Sequence, residues 1–260
     1  MRKVVLSAVF VVFCGTALFA QNFANGFYFA QDANWSNNQK NQVAIEVRGG
    51  KMSSVNFNVI SLASGARDLK TISRAPDAAA AVKNWAGQVA AVENHIVSSQ
   101  NLSNARVQGG PSNASSLFDL ANRAVGGRSP QAVPKGTYSK DGWFYAEDQK
   151  ADEWHTRNTV LITVLNGTIV DVLWNGILVG MPPSINPSKL ITSRARGYPM
   201  VDSKWPWDEQ ANKIAAEMLK LQNPAMFKIK PDGHADGISG VSIHISDFVN
   251  VAKQALTAAQ

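Results

Sequence analysis

The chain has 260 residues, 25 Lys and Arg against 19 Asp and Glu, one Cys and 45% hydrophobic residues. That composition is globular, and it excludes a disordered chain or a bundle of membrane spans. The formal charge of +6 falls to a mild excess of four basic residues once Arg2 and Lys3 are set aside, and no Lys/Arg run interleaved with aromatics argues for nucleic acid.

The chain begins with a short basic region, Met1-Arg2-Lys3, then an apolar run from Val4 to Phe13 and small residues to Ala20. This three-part layout predicts a secretory signal peptide over 1–20, cut after Ala20, and it is short for a membrane span. Phe13 before Cys14 is a poor lipidation context, so export as a soluble protein is favoured over a lipid anchor. The exported chain then contains no cysteine for a disulfide, a thiolate metal site or a nucleophile.

From residue 21 the chain is written twice. Asn41–Asn58 aligns without a gap on Asn158–Asn175, with Asn41, Val43, Ile45, Val47, Gly50, Val55 and Asn58 meeting identical residues. Both stretches alternate apolar and polar residues across Gly49-Gly50 or Asn166-Gly167, pairs that accept the positive φ angles of a type I′ turn. Each is expected to be a β-hairpin, with Val160, Ile162 and Val164 on the core face. Gly26-Phe-Tyr28 is aligned with Gly136-Thr-Tyr138, and Trp85-Ala-Gly-Gln88 with Trp207-Asp-Glu-Gln210. Apolar stripes predict a helix from each Trp: Trp85, Val89, Val92, Ile96 and Trp207, Ala211, Ile214, Met218. Asp208 and Glu209 suit the first turn of the second, and Asn223-Pro224 ends it. A last helix is expected over Asp247–Ala259. The predicted fold is α+β: two tandem copies, 21–129 and 136–260, joined by a linker at 130–135, each with a hairpin-containing antiparallel sheet packed by helices.

Four segments of the second half carry a resemblance. These are Gly136-Thr-Tyr138, the strand pair through Ile169-Val170-Asp171-Val172, Tyr198-Pro-Met200 with Trp207-Asp-Glu-Gln210, and Asp236-Gly-Ile-Ser-Gly-Val-Ser242. Together they resemble the FMN-binding domain of pheromone-precursor-type extracellular electron-transfer lipoproteins and of the Rnf complex G subunit. The last segment matches that family's Asp-x-x-Ser-Gly-Ala-Thr. The resemblance implies FMN as cofactor, joined by a flavin transferase through its phosphate to the hydroxyl of Ser242. Gly240 lets backbone approach the phosphate, and Asp236 and Ser239 are expected to fix the loop through local side chain–backbone bonds. Tyr198 and Met200 are candidates to line the ring; Trp207 is assigned to the core by its place in the helical stripe. Ser replaces the family's Thr and Val241 its Ala, which leaves open a module that keeps the fold without flavin. In the first half Ser112-Asn-Ala-Ser115 is paired with Ser239-Gly-Val-Ser242, making Ser115 a second, weaker attachment candidate.

The resemblance further implies an extracytoplasmic electron carrier rather than a self-contained enzyme. Its partners are the transferase and a redox donor or acceptor protein, a membrane-bound one among the options. Arg194 and Arg196 are read as a solvated loop rather than a phosphate site. His95, His155, His234 and His244 lack ligand spacing, and no Walker loop, dinucleotide fingerprint or hydrolase triad order is present.

Overall fold

The computed structural model describes residues 22–103, 106–127, 130–181, 187–198, 200 and 203–260. The expected signal peptide and Cys14 lie outside them. The fold is α+β, with two antiparallel sheets. The first has the order β1 (Gly26–Gln31), β2 (Gln39–Arg48), β3 (Lys51–Ser61), β4 (Arg67–Asp68). Helices α1 (Leu69–Ser73), α2 (Ala80–Ser99) and α3 (Ala114–Val125) follow. The second sheet has the order β5 (Gly142–Glu147), β6 (Thr156–Leu165), β7 (Thr168–Leu178), followed by α4 (Lys189–Arg194), α5 (Trp207–Leu221) and α6 (Ser246–Thr257).

The hairpin turns have the expected chemistry. Gly49 and Gly50 adopt φ of 59° and 76°, and Asn166 and Gly167 adopt 54° and 72°, so both central residues of each turn are left-handed. The register set by these turns places Val43, Ile45 and Val47 in the first core and Val160, Ile162 and Val164 in the second. The duplication extends to an irregularity: the register slips between Glu46 and Val47 in one hairpin, and between the aligned Thr163 and Val164 in the other.

Alternation predicts one wet face per sheet, yet nearly every residue of β6 is buried. The polar faces of the two sheets pack on each other, with the helices outside. Gln42 is central to that contact. Its Nε2 donates to Asp171 (2.7 Å), and its Oε1 accepts from Trp143 Nε1 (2.6 Å) and Thr163 (3.2 Å). Gln31 donates to the same carboxylate at 3.1 Å. Burial raises the Asp171 pKa, and the two amides oppose the rise.

Two alignments need correction. Gly26 pairs with Val47 as Gly142 pairs with Val164, and their φ angles are 150° and 148°. The partner of Gly26-Phe-Tyr28 is therefore Gly142-Trp-Phe144, not Gly136-Thr-Tyr138. The Gly136 segment instead straps the second hairpin turn: Tyr138 N donates to Gly167 O (3.1 Å), as Phe23 N does to Gly50 O (3.0 Å). A Cβ at Gly136 would collide with the Gly167 carbonyl, so that strap needs glycine. The second correction concerns the last helices. The buried residues of α3 (Leu117, Phe118, Leu120, Ala121, Ala124, Val125) and α6 (Phe248, Val249, Val251, Ala252, Ala255, Leu256) have the same spacing, residue for residue. That register sets Gly109 (φ 77°) on Gly240 (φ 72°) and Pro111 on Ser242. The pairing of Ser115 with Ser242 does not hold.

Each bulge is closed by a glutamine in the left-handed C-cap of the long helix that follows the hairpin. Gln222 donates to Ile169 O (3.0 Å) and accepts from Ile169 N (2.7 Å), and Gln100 does the same with Met52. Gln222→Ala keeps the backbone demand but orphans both groups of Ile169. It is expected to cost about 1–3 kcal/mol in urea unfolding; an unchanged midpoint would show that water replaces the amide.

Candidate functional site

The second-half landmarks converge at the end of the second sheet remote from its hairpin turn. A cavity of about 260 Å³ is lined by Asp152, Glu153, Trp154, Asn158, Trp174, Lys189, Tyr198, Met200, Trp207, Ser242, Ile243, His244 and Asp247. The structure thus brings Ser242, from the segment before α6, to one place with Tyr198 and Met200, from the segment between α4 and α5.

Its floor is aromatic. Trp174 of β7 and Trp207 of α5 meet edge to face at 5.1 Å, and Trp174 packs on Phe248 at the same distance. Trp207 is buried as the stripe predicts, and it also lines the cavity, so core and site share it. Trp174 Nε1 donates to Asn158 Oδ1 (3.2 Å), while Asn158 Nδ2 and N donate to Asp148 (3.1 and 3.0 Å). These bonds hold the loop that carries Asp152 and Trp154. Asp152 caps its own turn through Trp154 N and Thr156 N, which leaves Trp154 63% exposed at the mouth.

The Ser242 loop is held by Gln210, a fully buried residue of the Trp-x-x-Gln segment. Gln210 Oε1 accepts from Ser242 N at 2.6 Å and from Ser242 Oγ at 3.3 Å, and its Nε2 donates to Ser203 Oγ and Trp205 O. Ser242 is otherwise exposed, its Oγ 3.2 Å from that of Ser203. Gly240 uses its positive φ, and a Cβ there would collide with Lys213 Nζ, which donates to Gly240 O. Val241 is half-buried against the core. The expected loop bonds from Asp236 and Ser239 are not formed among the described residues: both side chains are exposed, and only the Asp236 amide is engaged, on Lys228 O. Gln210 and Lys213 replace them because they reach the loop from a rigid helix.

Arg196 pairs with Asp208 (3.1 Å) and Glu209 (3.0 Å), and Arg194 lies over Trp35. Neither arginine lines the cavity. His234 and His244, ten residues apart, form a bridge with rings 4.1 Å apart, and His244 reaches the cavity. Among the described residues no His, Cys, Asp and Glu group has the makings of a metal site.

Sequence reading missed Lys189, the first residue of α4. The helix start is fixed by Ser188 and by Asn175, whose Oδ1 accepts from Leu190 N (2.8 Å). Lys189 is 6% exposed, with Nζ 4.7 Å from the ring centroids of both Tyr198 and Trp207. Burial lowers its pKa to about 8, against the pull of Asp152 and Asp247. Burial likewise raises the carboxyl of Asp247, helped by Asp148 and Asp152, and the phenol of Tyr198, helped by Asp152. The only signal in the sequence was a lone lysine at a helix start, where a cation is unfavourable.

The first half keeps a counterpart cavity with Asn41, Trp85, Leu69 and Asn113 where the second has Asn158, Trp207, Lys189 and His244. There Leu69 replaces the lysine, Pro111 the serine, and Gln88, the partner of Gln210, is exposed. Ser115 sits exposed in the first turn of α3.

No family model and no curated protein matches the chain. Two solved structures are similar to parts of it. One is a solution NMR structure of a Clostridium thermocellum protein, 40% identical, spanning 47% of this chain and 93% of that one, with a TM-score of 0.37. The other is a crystal structure from Clostridium perfringens, 20% identical over 46% of this chain and 88% of that one, with a TM-score of 0.35.

A buried ammonium with a lowered pKa costs stability. The unfolded chain binds the proton more tightly, so stability rises as pH climbs from about 8 towards 10.5 and is flat below. Lys189→Met is therefore expected to stabilise the protein at pH 7, by on the order of 3 kcal/mol. The gain should shrink above pH 8 in denaturant titrations; a destabilised variant would mean that Lys189 holds the fold.

Proposed function

We propose that residues 136–260 carry FMN, joined through its phosphate to Ser242, and that the protein is an extracytoplasmic electron carrier. The observation behind this is the position of the Ser242 hydroxyl: exposed, on a loop pinned by Gln210, at the rim of a cavity walled by Trp174, Tyr198, Met200 and Trp207.

The residues fit the group. At about 260 Å³ the cavity is near the lower end of the ~300–1,000 Å³ usual for small-molecule sites. That suits a flat ring inside and a polar tail outside, ending at Ser242. Trp, Tyr and Met give flat, polarizable contacts, and exposed Trp154 stands at the mouth. When bound, the flavin supplies reversible electron transfer; the protein supplies position and charge. Gln210 presents Oγ and keeps the loop from collapsing onto the core. Attachment forms an Oγ–P bond as the serine proton and the phosphate's leaving group depart, for a net gain of FMN less one water. A flavin transferase is the required partner, and a redox donor and acceptor follow from the carrier role. The covalent tether suits a protein outside the cell, where a lost cofactor is not replaced. No helix among the described residues is long and apolar enough to cross a membrane.

The first half, with Pro111 and Leu69 at the counterpart positions, is proposed to hold no flavin. The test is intact mass after co-expression with a flavin transferase and denaturation. One FMN less water is expected, lost in Ser242→Ala and kept in Ser115→Ala. A folded protein without the adduct would favour the rival reading, a module that has kept the fold and lost the cofactor.

A further inference from the structure

No hydrogen bond or ion pair joins Lys189 to Ser242 among the described residues, and the first half makes the same corner without a lysine. The matching corner of the first half is built in the same way: Asn58 accepts from Lys70 N and holds Asp68, the N-cap of α1, as Asn175 holds Ser188. There the first helical residue is Leu69. The same backbone corner is thus made once with an apolar side chain and once with a buried cation.

That cation belongs to none of the ion pairs among the described residues. Its neighbours are the faces of Tyr198 and Trp207, which attract it, and the cavity, which it lines. The charged groups around it come from every adjoining element. Asp152 and Glu153 lie in the β5–β6 loop, with Asp148 behind them; Asp247 is on α6, and His244 precedes it. Asp152 and Asp247 act on Lys189 at a distance, and Asp152 is turned to its own backbone through Trp154 N and Thr156 N. The ammonium is left as the positive charge facing a cavity with an aromatic floor, which Asp152, Glu153 and Asp247 also line, and charge interactions there are stronger than in water.

We propose that Lys189 is the charge-compensating residue of the flavin pocket, balancing the negative charge that the ring gains on reduction. This rests on the flavin reading above and adds its electrostatics. Two electrons come from the donor protein and one proton from solvent. Lys189 keeps its own proton, and its charge stands in for the second proton that a neutral reduced ring would take. The pocket thereby holds the reduced ring as an anion and raises its potential. Tyr198 and Trp207 fix the ammonium in place, and Leu69 shows what the pocket lacks without it.

The test is a spectroelectrochemical titration between pH 6 and 8 of flavinylated wild type, Lys189→Met and Lys189→Arg. In the wild type the midpoint should fall by about 30 mV per pH unit, one proton per two electrons. In Lys189→Met the reduced ring should lose at least tenfold in relative affinity, about 30 mV in midpoint, with a slope near 59 mV per pH unit at pH 6. Lys189→Arg should restore the wild-type slope. A second readout needs no flavin: in protein with ¹³C-lysine, one Cε resonance should titrate near pH 8, vanish in Lys189→Met, and move to higher pH once the reduced flavin is in place. Adducts with equal midpoints and slopes in all three proteins would overturn the inference and leave the carrier reading standing. A wild-type protein that takes no flavin would overturn both.

Discussion

Buried side-chain amides hold each loop of the candidate site in place. Asn158 ties the Asp148–Asp152 loop to Trp174; Asn175 fixes the start of α4, and with it Lys189; Gln210 anchors Ser242. Asn175 reaches from a strand to the first-turn backbone of α4, Gln210 from a helix to loop backbone, and Asn158 from a strand to the side chains of Asp148 and Trp174. A buried amide or carbonyl without a partner costs about 1–3 kcal/mol, so these loops are pinned to one geometry. The cavity exists because three irregular segments end at the same place and none is free to fold into it.

The first half shows which of these devices belong to the fold and which to the site. Asn41, Asn58 and Gln100 repeat the roles of Asn158, Asn175 and Gln222. Gln210 is not repeated, since Gln88 lies on the exposed side of a helix that starts five residues earlier relative to its Trp. At the cavity and its rim the halves differ in Lys189 against Leu69, Ser242 against Pro111 and His244 against Asn113. A duplicated scaffold with one chemically equipped cavity follows. The equipped half also has its outer sheet face covered by the other copy, through Gln42, Asp171 and Trp143.

Much of this was legible in the sequence. The hairpins were, because Gly49-Gly50 and Asn166-Gly167 encode left-handed turns locally, and the helix stripes were, because burial repeats every three to four residues. Identity at Asn41/Asn158 and Asn58/Asn175 was visible, but its meaning was not, since a buried amide is recognised by the backbone group it meets. The alignment of Gly26 with Gly136 failed for a related reason: glycine in a strap and glycine at a strand start look alike until their φ angles are known. Ser115 was misplaced because helix register, rather than a Ser-x-x-Ser string, decides equivalence. Sheet-on-sheet packing was missed because the polar face of a strand reads as wet whether water or another sheet covers it. Lys189 was missed because its burial is imposed by Tyr198 and Trp207, distant in the chain.

The central claim, that Ser242 is where this protein carries its cofactor, is tested most directly by locating the adduct. Wild-type protein co-expressed with a flavin transferase is digested, and the fluorescent peptide is sequenced by tandem mass spectrometry. The account predicts a single modified peptide with the phosphoester on Ser242. Modification at Ser115 or at another hydroxyl would contradict it, as would digests of the folded protein without a flavin peptide.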